Sequence, residues 1–173
     1  MRDRAAAENV ELERLDELAA ALARVFRVSC HVRTEGLDAA GARDPGRGQY
    51  YSTAILESMQ ANGGGVRLLG VTALDLYVPV LTFVFGEAQL EGDCALVSLC
   101  RLREEFYGLP AREELLRERL TKEAVHELGH TFGLRHCGDW RCVMSSTHAV
   151  ERLDVKGAEF CGRCRGVVEG ADD

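Results

Sequence analysis

This chain of 173 residues lacks an apolar run long enough to cross a membrane, a block of basic charge, and any internal repeat or low-complexity tract. Its longest uncharged apolar stretch, Leu76 to Gly86, has 11 residues and contains Pro79, far short of the roughly 20 that a membrane helix requires. Lys and Arg total 21 against 28 Asp and Glu, a net charge of −7, which argues against a nucleic-acid partner. The first residues, Met1 to Glu8, contain no apolar core of a secretion signal, so the expectation is a cytoplasmic chain with no membrane association. With 46% hydrophobic and 28% charged residues, neither disorder nor a fibrous repeat is indicated, and the length suits one domain, with room for a small appendage.

Cysteine is sparse for a disulfide scaffold, at 7 residues, yet Cys137, Cys142, Cys161 and Cys164 all fall after His136. In a reducing compartment, thiols clustered in this way are metal ligands more often than disulfides.

Periodicity outlines the elements. Residues 8–23 place Leu12, Leu15, Leu18, Ala19 and Leu22 at helical spacing, which predicts an amphipathic helix. Phe26, Val28, Cys30 and Val32 then alternate with polar residues, as in a half-buried strand. Residues 36–48 read as an exposed loop, and a second helix is expected from Gln49 to Asn62, stopped by Gly63, Gly64 and Gly65. Val66 to Val71, Val80 to Phe85 and Cys94 to Leu99 are three further strand candidates. Pro110 suits a first helical position and no breaker follows until Gly129, so a long helix is expected from Pro110 to about Gly133. The segment 137–173 has few large apolar groups and cannot easily fold on burial alone.

The long helix carries the chemistry. His126, Glu127 and His130 form H-E-x-x-H, and four residues advance a helix by a little over one turn, so both imidazoles share a face and can close on one ion. Glu127 projects beside that ion, where a carboxylate can take a proton from a water on the metal. The run continues to complete H-E-x-x-H-x-x-G-x-x-H, in which Gly133 can adopt the positive φ that ends a helix sharply and bring His136 back as a third nitrogen ligand. Three protein ligands leave one tetrahedral position open, the arrangement of a catalytic zinc and the signature of the metzincins. The remaining histidines, His31 and His148, receive no functional role, the first on the polar side of a strand and the second in an exposed segment.

Cys137 and Cys142 form C-x4-C, and Cys161 and Cys164 form C-x2-C with 18 residues between the pairs. Two short chelate loops so separated suit a closed four-sulfur zinc site, which stabilises a fold without taking part in chemistry. A disulfide, or a redox C-x-x-C at Cys161 and Cys164, is the alternative; the compartment argues against the first and the lack of a following βαβ pattern against the second. Cys30, Cys94 and Cys100 read as small buried hydrophobes. Met144 by itself reads as a core-packing residue.

These residues resemble the archaemetzincins, a metzincin branch of zinc metallopeptidases. The resemblance rests on the block from Lys122 through His126 to His136 and directly into Cys137, on Cys142-Val143-Met144, and on Cys161 to Cys164. It extends upstream to Gln49-Tyr50, Asp75 to Tyr77, Phe83 to Ala88 and Ser98 to Arg103. It implies an α/β (α+β) fold: a mixed twisted sheet of four to five strands, a backing helix and an active-site helix in residues 1–136, and a zinc-bound C-terminal subdomain in residues 137–173. It further implies two zinc ions, a catalytic one on His126, His130 and His136 with Glu127 as general base, and a structural one on Cys137, Cys142, Cys161 and Cys164. Met144 would lie in a turn beneath the catalytic metal. Two residues beyond it stands Ser146, where some metzincins have tyrosine, so a tyrosine ligand or oxyanion donor is absent at that position.

The expected activity is hydrolysis of a peptide or protein substrate by a monomer, through zinc and Glu127, with an extended substrate paired along a sheet edge near Glu87 to Gly92. A zinc-stabilised peptide-binding protein without turnover, and an amidase acting on a small molecule, are the alternatives.

Overall fold

The computed structural model describes residues 12–33, 36–59 and 65–170. Helix α1 (Leu12–Phe26) leads to two short strands, β1 (Arg43–Asp44) and β2 (Gln49–Tyr51), and to helix α2 (Ser52–Ser58). Strands β3 (Leu68–Thr72), β4 (Leu76–Tyr77), β5 (Gly86–Ala88) and β6 (Cys94–Ser98) follow. Two 3₁₀ turns precede the long helix α3 (Glu113–Thr131), and two short helices, α4 (Val150–Val155) and α5 (Gly162–Gly170), complete the described chain.

Strand β6 lies between β3, to which it is parallel, and β5, to which it is antiparallel. It is buried at every position, and its period of two divides its side chains between two layers. Ala95 and Val97 join the core that contains α3 and α1, whereas Cys94 and Leu96 join the core with Ile55 and Leu56 of α2. Strands β1, β2 and β4 form a second three-stranded sheet, and an isolated antiparallel bridge connects Leu76 of β4 to Val84.

Helix α3 packs against α1 through Leu18, Leu22, Leu116 and Leu120, and against β5 and β6 through Ala124, Val125 and Leu128. Glu113 and Glu114 occupy its first turn, where the helix dipole favours negative charge. The chain after His136 is not excluded from this core: Val143, Met144, Val150, Leu153, Phe160 and Val168 belong to it. Phe26 stacks on Phe132 at 5.3 Å and meets Phe160 edge-on at 5.7 Å. Arg119 of α3 holds Asp154 with two hydrogen bonds of 2.6 and 2.7 Å, and Lys122 donates to the carbonyls of Leu153 and Asp154 at 3.1 and 3.0 Å. These carbonyls end α4, where cations are favoured.

Several boundaries differ from the periodicity. Residues 26–33 form no strand: α1 continues to Phe26, whose ring is anchored between two other aromatic rings, and Arg27 ends the helix at φ 59. Among the described residues, the alternating pattern there pairs with no strand. Gln49 to Tyr51 is a strand and not the start of a helix, because its parallel pairing with Leu76 and Tyr77 outweighs local propensity. Helix α2 then ends at Ser58, and the glycines at 63 and 64 lie outside the described residues. Val80 to Phe85 contributes one bridge only, and the strand falls at Gly86–Ala88. Of the expected edge, only Glu87 and Ala88 are strand; Gln89 to Asp93 turn into β6, with Gly92 N–H donating to Gln89 O at 3.0 Å. The long helix starts at Glu113, so Pro110 precedes it and does not open it.

Candidate metal centres

The last two turns of α3 carry Glu123, His126, Glu127 and His130. The helix ends at Gly133, whose φ of 83 is open to glycine and strained for other residues. Gly133 N–H donates to His130 O and Leu134 N–H to Gly129 O, at 2.9 and 3.2 Å. This reversal carries His136 back over the helix: its ring centroid lies 5.3 Å from that of His126 and 5.2 Å from that of His130.

The nitrogens of the three histidines converge within 4.8 Å of one another. His126 Nε2 and His130 Nε2 are 3.2 Å apart, close to the roughly 3.3 Å between two nitrogens that each sit about 2.0 Å from a tetrahedral zinc. The opposite ring nitrogens are already engaged. Nδ1 of His126 bonds to Val143 O at 2.8 Å and Nδ1 of His130 to Leu134 O at 2.6 Å. A carbonyl only accepts, so both Nδ1 atoms carry the proton and both Nε2 lone pairs face the shared point. Burial pushes all three imidazoles toward the neutral form, most strongly His126, where the charge of Lys156 adds to the effect. A neutral imidazole is the ligand form, and this donor set fits zinc.

Met144 is fully buried. A Cβ placed on Gly129 would come within 2.5 Å of Met144 Sδ, so the thioether packs directly on the helix between the two histidine turns. The carbonyl that receives His126 belongs to Val143, the preceding residue.

Glu127 is buried, and desolvation raises its carboxyl well above the ordinary range, with Glu123 and Glu87 adding to the rise and Lys156 opposing it. Lys156 donates to Glu123 Oε1 at 3.0 Å and to Ser145 O at 3.4 Å, with both side chains of the pair nearly free of solvent. Beside Glu127 lies Gly86. A Cβ there would stand 2.5 Å from Leu96 O and 2.7 Å from Glu127 Cγ, so β5 approaches the carboxylate this closely only because residue 86 has no side chain.

Around these groups is a cleft of about 550 Å³, lined by residues 81–88, by Glu123, His126, Glu127 and His130 of α3, and by Arg135, His136 and Ser146 to His148. Sequence periodicity did not single out Glu123, Lys156 or Gly86, because each acts through a partner remote in the chain. His148 is exposed, as its segment suggested, and it borders this cleft. His31 is exposed and stands on no strand.

The four C-terminal cysteines also converge, with sulfurs within 4.8 Å of one another. Cys137 Sγ and Cys161 Sγ are 3.9 Å apart, near the roughly 3.8 Å expected across a tetrahedral zinc with about 2.3 Å bonds and far from the ~2.05 Å of a disulfide. Cys161 N–H donates to Cys142 Sγ at 3.3 Å and Arg163 to Cys137 Sγ at 3.6 Å. A hydrogen bond from the Cys164 backbone brings the Cys161 thiol down to about 7, while burial pushes Cys164 up. A buried thiol of that kind ionises against a cation, so the donor set fits a second zinc. Cys94 packs in the core around α2 and Cys30 against the other core, and burial moves the Cys100 thiol up to about 11.

The sequence profile described as peptidase family M54 matches residues 53–169. The chain is 50% identical over 118 residues to the archaemetzincin of Methanocaldococcus jannaschii, a match covering 68% of this chain and 65% of that protein, just under two thirds of its length. Among solved structures, a zinc-dependent peptidase from Methanocorpusculum labreanum superposes with a TM-score of 0.85 at 31% identity, over 93% of this chain and 96% of that one. Archaemetzincin from Archaeoglobus fulgidus superposes with a TM-score of 0.78 at 36% identity, over 91% and 94% of the two chains. A profile match across 53–169 and this shared backbone, joined to the three-histidine and four-cysteine clusters, establish that the chain belongs to peptidase family M54, the archaemetzincin branch of the zinc metallopeptidases.

Proposed function

We propose that the chain hydrolyses peptide bonds with a catalytic zinc held by His126, His130 and His136 and with Glu127 as general base. The observation that carries this reading is the convergence of three histidine nitrogens within 4.8 Å, two of them fixed as open Nε2 donors by carbonyls, beside a buried carboxylate. Zinc bound there supplies Lewis acidity toward the scissile carbonyl and the attacking water. Glu127 takes the proton of that water and returns it to the leaving nitrogen. Met144 forms the apolar floor below the imidazoles, and Gly133 sets the turn that delivers His136. An extended substrate pairs with the edge of β5, the end strand of its sheet, so that its backbone runs past Glu127.

The tail from Cys137 onward is a subdomain organised by a second, structural zinc on Cys137, Cys142, Cys161 and Cys164, although its apolar residues share the core of residues 1–136. No described helix is long and apolar enough to cross a membrane, and the reading is completed by a cytoplasmic monomer acting on peptides. The test is zinc stoichiometry with anomalous-scattering location of each ion, followed by profiling of the zinc-loaded protein against peptide and acyl-amide libraries. Two located zincs with peptide turnover are expected. Zinc confined to the cysteines after loading would replace the enzyme with a peptide-binding protein, and turnover restricted to small amides would make it an amidase.

A further inference from the structure

Attack on an amide leaves negative charge on the former carbonyl oxygen, and donors fixed toward that oxygen are among the largest contributions to acyl-transfer catalysis. No tyrosine follows Met144 at the second position; Ser146 stands there. We propose that Ser146 and His148 act as one donor unit that binds the scissile carbonyl oxygen as it becomes negative, an inference that rests on the peptidase reading above.

Both residues line the cleft that contains His126, Glu127, His130 and His136. Ser146 Oγ and His148 Nε2 lie 3.2 Å apart, within hydrogen-bond reach. The segment that carries the pair is anchored at both ends. Before it, Met144 is fully buried against Gly129, Ser145 N–H donates to Cys142 O at 2.9 Å, and Lys156 reaches Ser145 O. After it, Val150 opens α4, which Arg119 and Lys122 tie to α3. A donor on such a short, doubly held segment is oriented before substrate arrives, which is the condition for electrostatic stabilisation of a developing charge.

The two residues share one hydrogen bond and two protons, and so work as a unit. A neutral imidazole has one N–H and a hydroxyl has one O–H. Their mutual hydrogen bond uses one of these two protons and leaves the other. With Nε2–H donating to Oγ, the serine proton is free for the cleft; with Oγ–H donating to Nε2, the Nδ1 proton is free. In either tautomer one proton stays outside the mutual bond, and loss of either side chain releases the survivor from its fixed geometry. His148 is solvent-exposed, so its replacement leaves the core intact.

The experiment compares the zinc-loaded wild type with Ser146→Ala, His148→Ala and the double variant. Zinc per chain, kcat and KM on a peptide substrate, and calorimetric affinity for a phosphinic peptide, whose charged tetrahedral oxygens imitate the oxyanion, are measured. His148→Ala is expected to lower kcat by about 10²–10³ with KM within about threefold, to weaken the phosphinic peptide by a comparable factor, and to retain two zincs. The double variant should fall no further than His148→Ala, as members of one unit do. A kcat within about twofold of wild type, an unchanged phosphinic-peptide affinity, or loss of a zinc on His148→Ala would overturn the assignment, the last by making His148 a metal ligand. Absence of turnover by the wild type would remove the peptidase reading, and the calorimetric comparison would still decide whether this pair binds a tetrahedral anion.

Discussion

Replacement of Gly86 by alanine tests whether β5 positions Glu127, the proposed general base. The added Cβ would stand 2.5 Å from Leu96 O, 2.7 Å from Glu127 Cγ and 2.8 Å from Glu127 Oε1, where ordinary contact begins near 3.4 Å. Leu96 is fully buried in β6 and its carbonyl cannot retreat. β5 therefore has to move away from β6 by more than half an ångström, and Glu127 has to shift or rotate as well. Misplacement by about 1 Å costs on the order of 10² in rate, so kcat/KM should fall about 10- to 100-fold. Overpacking of this kind costs about 1–3 kcal/mol, which for a chain of this size lowers Tm by roughly 2–12 °C. Hydrolysis of a peptide substrate by zinc-loaded protein, with zinc content and thermal unfolding followed in parallel, provides the assay. Gly41→Ala is the control, because a Cβ there meets nothing within 4 Å. Full activity in Gly86→Ala would show that the distance from β5 to Glu127 does not govern catalysis.

The remaining predictions concern Glu127, Lys156 and the cysteines. Glu127→Gln should abolish hydrolysis while zinc content stays unchanged, and retained turnover would remove Glu127 from the mechanism. Lys156→Met leaves Glu123, 4% exposed, without its counter-ion; chemical denaturation should show a loss of about 3–5 kcal/mol, largely recovered in the double variant with Glu123→Leu. A single-variant loss under about 1 kcal/mol would contradict the buried-pair argument. Cys164→Ser should yield one zinc per chain and a lower unfolding midpoint, and a protein of wild-type stability holding two zincs would refute a structural metal at the cysteines.

Much of the site was legible in the sequence because its chemistry depends on local spacing. His126 and His130 share a face by helical geometry alone, and Gly133 marks where the chain can reverse to return His136. The cysteine pairs announced themselves by two chelate spacings. Local pattern failed where pairing partners lie far away. Gln49 to Tyr51 became a strand because Leu76 and Tyr77 run beside it, and Phe26 stayed helical because Phe132 and Phe160 hold its ring. The sparsely apolar tail has its missing core supplied by α1 and α3 as well as by its cysteine cluster.

No described helix is long and apolar enough to cross a membrane. By itself the sequence determined which side chains can bind metal and take a proton, because those capacities belong to residue types at short fixed intervals. Only the tertiary structure decided what surrounds them: Gly86 against Glu127, Lys156 beneath Glu123, and Ser146 with His148 at the border of the cleft. Proximity between segments dozens of residues apart arises from packing of the whole core, and no local pattern encodes it.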